Sequence, residues 1–397
     1  MKPKHFTAKA INLMQKVNAP VLVACALLFS IPAQALVILH QASLPINVDY
    51  DTNLNLSQQK QGVWRYTTIP RYSISAVDDK SRWFSDLALT LQRSSNKNLS
   101  VDREDPNLNL GWQRELEKGA FSITAGYDKR SSRFAQFNTN ALLDVDGTSV
   151  SRTLAANFNH SLSEKLKLSL GANYTKTTFT DSSFISSISK TINGTISYDL
   201  KEKISPFVQL SLTDFKPEGD LSQPSTSKNF SVGSTMLLTP HLTFVPSIGV
   251  NSISTSGTNN GFGFNDGGSG AIGSNEGSGW ISSNTLSYLS EKNTMQASLS
   301  RSVSPGGLGA LQKSDTFGLG YTRELSEVSK AGIDFNISKN QSDFASETAQ
   351  LTGFYSYYIS QAWQARLVAG HRSQKQNEFS AKNNNIGISF IYNIPQL

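Results

Sequence analysis

Four of the five histidines, His40, His160, His241 and His371, are the side chains best suited to act as a base, a metal ligand or a proton shuttle. Acyl transfer would need a nucleophile, a base and an orienting acid or amide brought to one point. A metal would need ligands at short regular spacings. No pair of these histidines stands at such a spacing, and no Ser, His and Asn or Asp set is assembled around one. The reading is a chain with no catalytic residue, no metal site and no cofactor, hence not an enzyme. Cys25 is the one cysteine, so the chain beyond it has neither disulfides nor thiolate chemistry.

What remains is chemistry of position. From Lys165 to Thr180 apolar and polar residues alternate: Leu166, Leu168, Leu170, Ala172 and Tyr174 against Lys167, Ser169, Gly171, Asn173 and Thr175. Strand side chains change face at every residue, so the run has one greasy and one wet side. About eighteen such runs follow one another between Ile46 and Ile394. Tight turns, such as Glu117 to Gly119, Ser163 to Lys165 and Lys201 to Lys203, alternate with longer loops at Asn96 to Pro106, Phe134 to Thr148, Pro217 to Ser227 and Thr255 to Ser278. This rhythm predicts an all-β fold: a transmembrane antiparallel up-and-down β-barrel of about 18 strands, 16 being the alternative, with short periplasmic turns and longer extracellular loops. An even count places both ends of the barrel at the periplasmic rim.

Residues 1–35 read as a cleaved signal peptide: Lys2, Lys4, Lys9 and Lys16, an apolar stretch from Val21 to Ile31, then Ala33-Gln34-Ala35. Leu22-Val23-Ala24-Cys25 is the rival, a lipoprotein box. Residues 36–45 are expected as an N-terminal periplasmic segment and 46–397 as the barrel. Removing the four lysines of the leader lowers the formal charge from +6 to +2. No nucleic-acid partner is implied.

The wet faces carry Arg65, Arg71, Asp86, Asp128, Lys167, Asp334, Arg366 and Arg372, with the aromatics Phe354 and Tyr358. Mixed charge on a wet wall suits a pore for polar solutes with weak ion preference. Filling of the wall and stacking on sugar rings are both open to the two aromatics. On the greasy faces Arg93, Lys129, Lys176, Arg301 and Lys339 end the apolar runs at the long-loop rim, within reach of lipopolysaccharide or simply snorkelling there. Trp112, Phe158 and Tyr321 fall near the short turns, forming an aromatic girdle. The Gly-, Ser- and Asn-rich loop at 255–278 is either a solvated surface loop or a lumenal constriction. Its Asn265-Asp266-Gly267-Gly268 is a poor calcium turn.

In the closing strand Asn385, Gly387, Phe390 and Tyr392 match the polar-x-Gly-x-x-aromatic-x-aromatic signal read by the outer-membrane barrel-assembly machinery, although the chain runs on to Leu397. Asp49 to Leu54, Leu142 to Gly147 and strands such as Leu166 to Gly171 resemble the outer-membrane β-barrel proteins encoded with bacterial exopolysaccharide and exosortase systems. That resemblance implies a Gram-negative outer-membrane location and a part in exopolysaccharide export, with lipid, lipopolysaccharide and polysaccharide-export proteins as partners. The expected function is a porin-like channel. The alternative is a non-conducting barrel that anchors or scaffolds envelope partners.

Overall fold

The computed structural model describes residues 37–57, 60–133, 146–219, 224–255, 277–305, 311–341, 346–376 and 379–394. The expected signal peptide, the lipoprotein box, residues 142–145 and the loop at 256–276 lie outside the described residues. The strands are β1 (Val37–Asp51), β2 (Val63–Thr68), β3 (Arg71–Val77), β4 (Ser81–Ser94), β5 (Arg103–Leu116) and β6 (Gly119–Ser131). Then come β7 (Thr148–Ser161), β8 (Leu166–Phe179), β9 (Ser187–Tyr198), β10 (Ile204–Pro217), β11 (Ser225–Thr239), β12 (Leu242–Thr255) and β13 (Gly277–Leu289). The remainder are β14 (Asn293–Pro305), β15 (Leu311–Ser326), β16 (Ser329–Gln341), β17 (Ser346–Tyr358), β18 (Trp363–Gln376) and β19 (Phe379–Ile394).

Each strand pairs antiparallel with its neighbours, and β1 pairs with β19, so the sheet closes. The nineteen segments make eighteen staves, because β2 and β3 are one stave interrupted at Ile69-Pro70. Proline cannot donate to a ladder. Here Ile69 N–H donates to the Pro45 carbonyl, 3.0 Å, and the Pro70 carbonyl accepts from Leu89 N–H, 3.1 Å, so the stave bends without losing its neighbours.

Two boundaries differ from expectation. Residues 37–45, expected as part of a segment ahead of the barrel, belong to its first strand: β1 begins at Val37 and pairs with β3 from Val37↔Val77 onward. Val37, Ile38 and Leu39 are consecutive apolar residues, which hides the alternation there. The second difference is the split stave.

The fold has almost no conventional core. Leu54, Leu56, Val63, Phe215 and Ile253 are among the few buried apolar side chains, whereas Leu154, Ile192, Leu210, Ile248 and Leu299 stand exposed on the outer wall. Such an inside-out distribution suits a barrel solvated by hydrocarbon outside and water inside. At the short-turn rim, side-chain oxygens fix the bends: Asp78 Oδ1 accepts from Lys80 and Ser81 N–H, and Ser163 Oγ from Lys165 and Leu166 N–H.

Candidate functional site: the lumen

Asp49, Arg65, Arg71, Asp86 and Asp128 line one cavity of about 640 Å³, which identifies the inward face. The register then carries that face around the barrel. Lys167 lies on it beside Ser197, and Asp334 beside Thr352. Phe354, Tyr358, Arg366 and Arg372 share it through Phe354↔Val368, Tyr358↔Gln364, Ser356↔Arg366 and Gln350↔Arg372. All the residues expected on the wet wall therefore share this face.

The wall is uneven, and from β16 to β18 it carries Lys330, Asp334, Arg366 and Arg372. From β1 to β6 it is crowded with arginine and aspartate. From β7 to β15 the inward positions between Ser149 and Thr322 are Ser, Thr, Asn, Gln and Gly with a few apolar residues. Among the described residues Lys167 is the one charge at an inward register position in that span, although the Lys313 ammonium turns in beside Gly279 at the long-loop rim; the Lys167 Nζ is 2.8 Å from Asp199 Oδ2 at the adjacent turn. Hydrogen bonds from Lys167 Nζ and then Ser205 Oγ hold the Asp199 carboxyl below the usual carboxylate range.

In the charged sector the cations are largely matched by anions. Arg65 meets Asp51 at 2.6 Å, and Arg130 meets Asp128 at 3.1 Å. Near the long-loop rim Arg103 pairs with Asp105 at 2.5 Å and with Asp146 at 3.6 Å, and Arg133 reaches the same Asp146 at 3.5 Å. All four side chains are under a tenth exposed. Val101 N–H donates to Asp146 Oδ2, 2.9 Å, and Arg133 donates to the Leu99 carbonyl. The network thus ties the β4–β5 loop to both ends of the β6–β7 connection. In that loop Asp102 accepts from Lys97, then from Ser94 N–H, and its carboxyl is likewise lowered. Sequence reading missed Arg103, Asp105, Arg133 and Asp146, because nothing local says which loops fold together. The Arg-x-Asp at Arg103 and Asp105 is the one trace.

Three inward phenylalanines lie flat where the neighbouring strand offers a glycine: Phe84 over Gly111, Phe207 over Gly233 and Phe354 over Gly332. A side chain at any of these glycines would occupy the ring's place. The Arg366 guanidinium stacks 4.1 Å from the Phe354 centroid, and Lys330 Nζ is 5.7 Å from the Tyr358 ring. Phe354 and Tyr358 are therefore packed into the wall, each with a cation over it.

On the outer wall Trp112, Phe158 and Tyr321 face away from the lumen, with Trp112 stacked on Trp83 at 5.3 Å. A second set at the opposite rim includes Tyr50, Trp64, Tyr127, Tyr174 and Trp280. Two girdles therefore bound the apolar band. The cations expected at its edge are on the outer register, but most are already engaged. Arg93 pairs with Glu104 at 2.9 Å, Lys176 with Glu218 at 2.6 Å and Arg301 with Asp315 at 2.5 Å. Lys339 lies in register with Asp315 and Glu347. Lys129 departs from expectation, since its ammonium turns to the buried Asp105 carboxylate, 3.3 Å, and the Glu104 carbonyl, 3.1 Å. A carboxylate that buried recruits whichever cation can reach it.

In the closing strand Phe390 and Tyr392 face outward, and Tyr392 packs on Trp363 at 4.8 Å. Asn385 and Gly387 face inward. Gly387 leaves room for the Asp49 carboxylate, and Asn385 lies over Gly370. At this seam Asn383 Nδ2 donates to Asp51 Oδ1, 2.8 Å, while Asn383 Oδ1 accepts from Asn53 N–H, 2.9 Å, and Thr52 Oγ1, 3.2 Å. The histidines are scattered: His40 bonds Tyr72, His241 the Leu289 carbonyl, His371 Asn384, and His160 stacks on Phe158. The described residues contain no group of three His, Cys, Asp or Glu able to hold a metal.

No protein-family model matches this chain, and no curated protein matches its sequence. Solved structures do match its shape. The outer-membrane protein OpdK from Pseudomonas aeruginosa superposes with a TM-score of 0.50 at 9% identity, covering 89% of this chain and 99% of that one. OpdK with vanillate gives 0.50 at 10% identity, covering 89% and 98%. The likeness is one of fold. It is that of a closed 18-strand antiparallel barrel.

Proposed function

We propose that this protein is a porin-like channel of a Gram-negative outer membrane, reached after removal of residues 1–35, that passes small polar solutes passively. The observation carrying this reading is the inner wall from β7 to β15, a surface dominated by hydroxyl and amide groups inside an apolar outer band. Each such group can donate and accept, so a hydroxylated solute exchanges its water hydrogen bonds for equivalent ones along the wall. The rest of the wall carries charges of both signs, several of them paired, so the net field is small and the preference between cations and anions weak. The short-turn rim faces the periplasm in this reading. The fold shared with OpdK supports both the location and the channel.

The finer reading is passage of saccharides, including a part in exopolysaccharide export. A hydroxyl- and amide-rich wall favours sugars over organic ions, and the resemblance to exopolysaccharide-linked barrels points the same way. The test uses the mature protein in liposomes and planar bilayers. Stable conductance steps and faster swelling with neutral oligosaccharides than with charged analogues of equal size are expected. A heat-modifiable, correctly folded barrel that neither conducts nor swells would refute the channel and leave the scaffold reading.

A further inference from the structure

The outer apolar band ends, at the long-loop rim of β7, β8 and β9, in a patch of cations that the protein does not fully neutralise. Arg152 stands directly opposite Lys176, and Lys190 stands opposite Tyr174, which places Lys190 diagonally next to Lys176. Like charges facing each other across a strand pair repel. Compensation is partial. Lys176 has Glu218 at 2.6 Å and Lys190 has Asp214 opposite it on β10, whereas among the described residues Arg152 has no ion-pair partner and no acid in register with it. The Arg152 guanidinium lies 6.0 Å from the Tyr127 ring centroid, and Asp214, across from Lys190, accepts from the Thr226 hydroxyl at 3.0 Å. Directly below the patch, Leu154 is 52% and Ile192 64% exposed on the outer wall, so these cations sit at the boundary between hydrocarbon and headgroups. Elsewhere on this rim Arg93 and Arg301 have their acids within the protein.

We propose that Arg152, Lys176 and Lys190 bind a phosphate of lipid A in the outer leaflet. The proposal rests on the outer-membrane reading, which sets the long-loop rim at that leaflet. A phosphate there would relieve the Arg152–Lys176 repulsion and make charge-assisted hydrogen bonds with all three groups. Lipid A carries its phosphates on a rigid disaccharide just above its acyl chains, where the wall changes from leucine and isoleucine to cations.

The test measures retention of lipid A by the full-length mature barrel in nanodiscs, using native mass spectrometry. Dephosphorylated lipid A and phosphatidylglycerol serve as comparison probes. Wild type should retain lipid A in preference to both. The Arg152→Gln/Lys190→Gln pair should weaken retention about tenfold or more, each single change accounting for part. The Lys375→Gln/Lys382→Gln pair, on the outer wall of β18 and β19, should leave it unchanged. Equal retention by the first pair and wild type, or equal binding of phosphatidylglycerol, would overturn the proposal. Heat-modifiable gel mobility is read on every sample. Its loss in wild type would overturn the barrel-channel reading instead, and its loss in the double variant moves the decision to the single changes.

Discussion

Replacing Leu170 by arginine is the sharpest probe of which wall faces lipid. Leu170 sits midway along the apolar run of β8, 45% exposed, in register with Phe158 and Gly194. In the outer-membrane reading roughly 80 Å² of its surface would meet hydrocarbon, and at about 25 cal/mol/Å² that alone is about 2 kcal/mol. A guanidinium at that depth raises the penalty to about 2–4 kcal/mol. One residue earlier, Ser169 lies on the inner wall opposite Asn159 and Thr195. An arginine there remains hydrated, and the expected loss is under about 1 kcal/mol. Both variants would be unfolded in urea from phospholipid vesicles and followed by tryptophan fluorescence, with ΔΔG taken from the shift in midpoint. Equal losses at the two positions, or a larger loss at Ser169, would refute the inward and outward assignment of β8 and of every strand registered to it.

Asp146→Ala should cost about 3 kcal/mol, because Arg133 loses this buried carboxylate while Arg103 keeps Asp105. It should also make single-channel conductance larger and noisier as the tied loops loosen. The Asp199 carboxyl should titrate below the usual range by carboxyl NMR in micelles, and Lys167→Gln should raise it. Since its folded value is the depressed one, its contribution is present at neutral pH and is lost as pH falls through that lowered value. Asn383→Ala removes hydrogen bonds to Asp51, Asn53 and Thr52, and should lower stability by about 1–3 kcal/mol, visible as a lower temperature for the gel-mobility change.

Alternation made the barrel legible, since a run such as Leu166 to Thr175 admits one pairing with its greasy side outward. The same parity placed Arg65, Asp86, Lys167 and Arg366 inside without knowledge of their neighbours. What failed to show was non-local or broke the period. Val37-Ile38-Leu39 presents three apolar residues in succession, which conceals the start of β1. Pro70 splits a stave at a position where parity continues unchanged. The Arg103, Arg133 and Asp146 network depends on two loops meeting in space, and no spacing encodes that meeting. Lys129 lies on the outer register, yet its long stem lets the ammonium choose Asp105. The surplus at Arg152, beside Lys176 and Lys190, emerged only when each outer cation could be matched with the acids around it.

The join between β1 and β19 has a consequence for how the molecule comes into being. Thr52 and Asn383, bonded across it, are 331 residues apart in the chain. Closing a loop of that size costs about 4 kcal/mol more than closing one of the tight hairpins. Each hairpin can form from its own local sequence, but this pairing has to wait until the final strand is available. Until then the sheet presents two long unsatisfied edges, each a template for another chain. The unfinished protein is thus a sticky ribbon throughout its synthesis, and loss of the last fifteen or so residues would leave both edges permanently open.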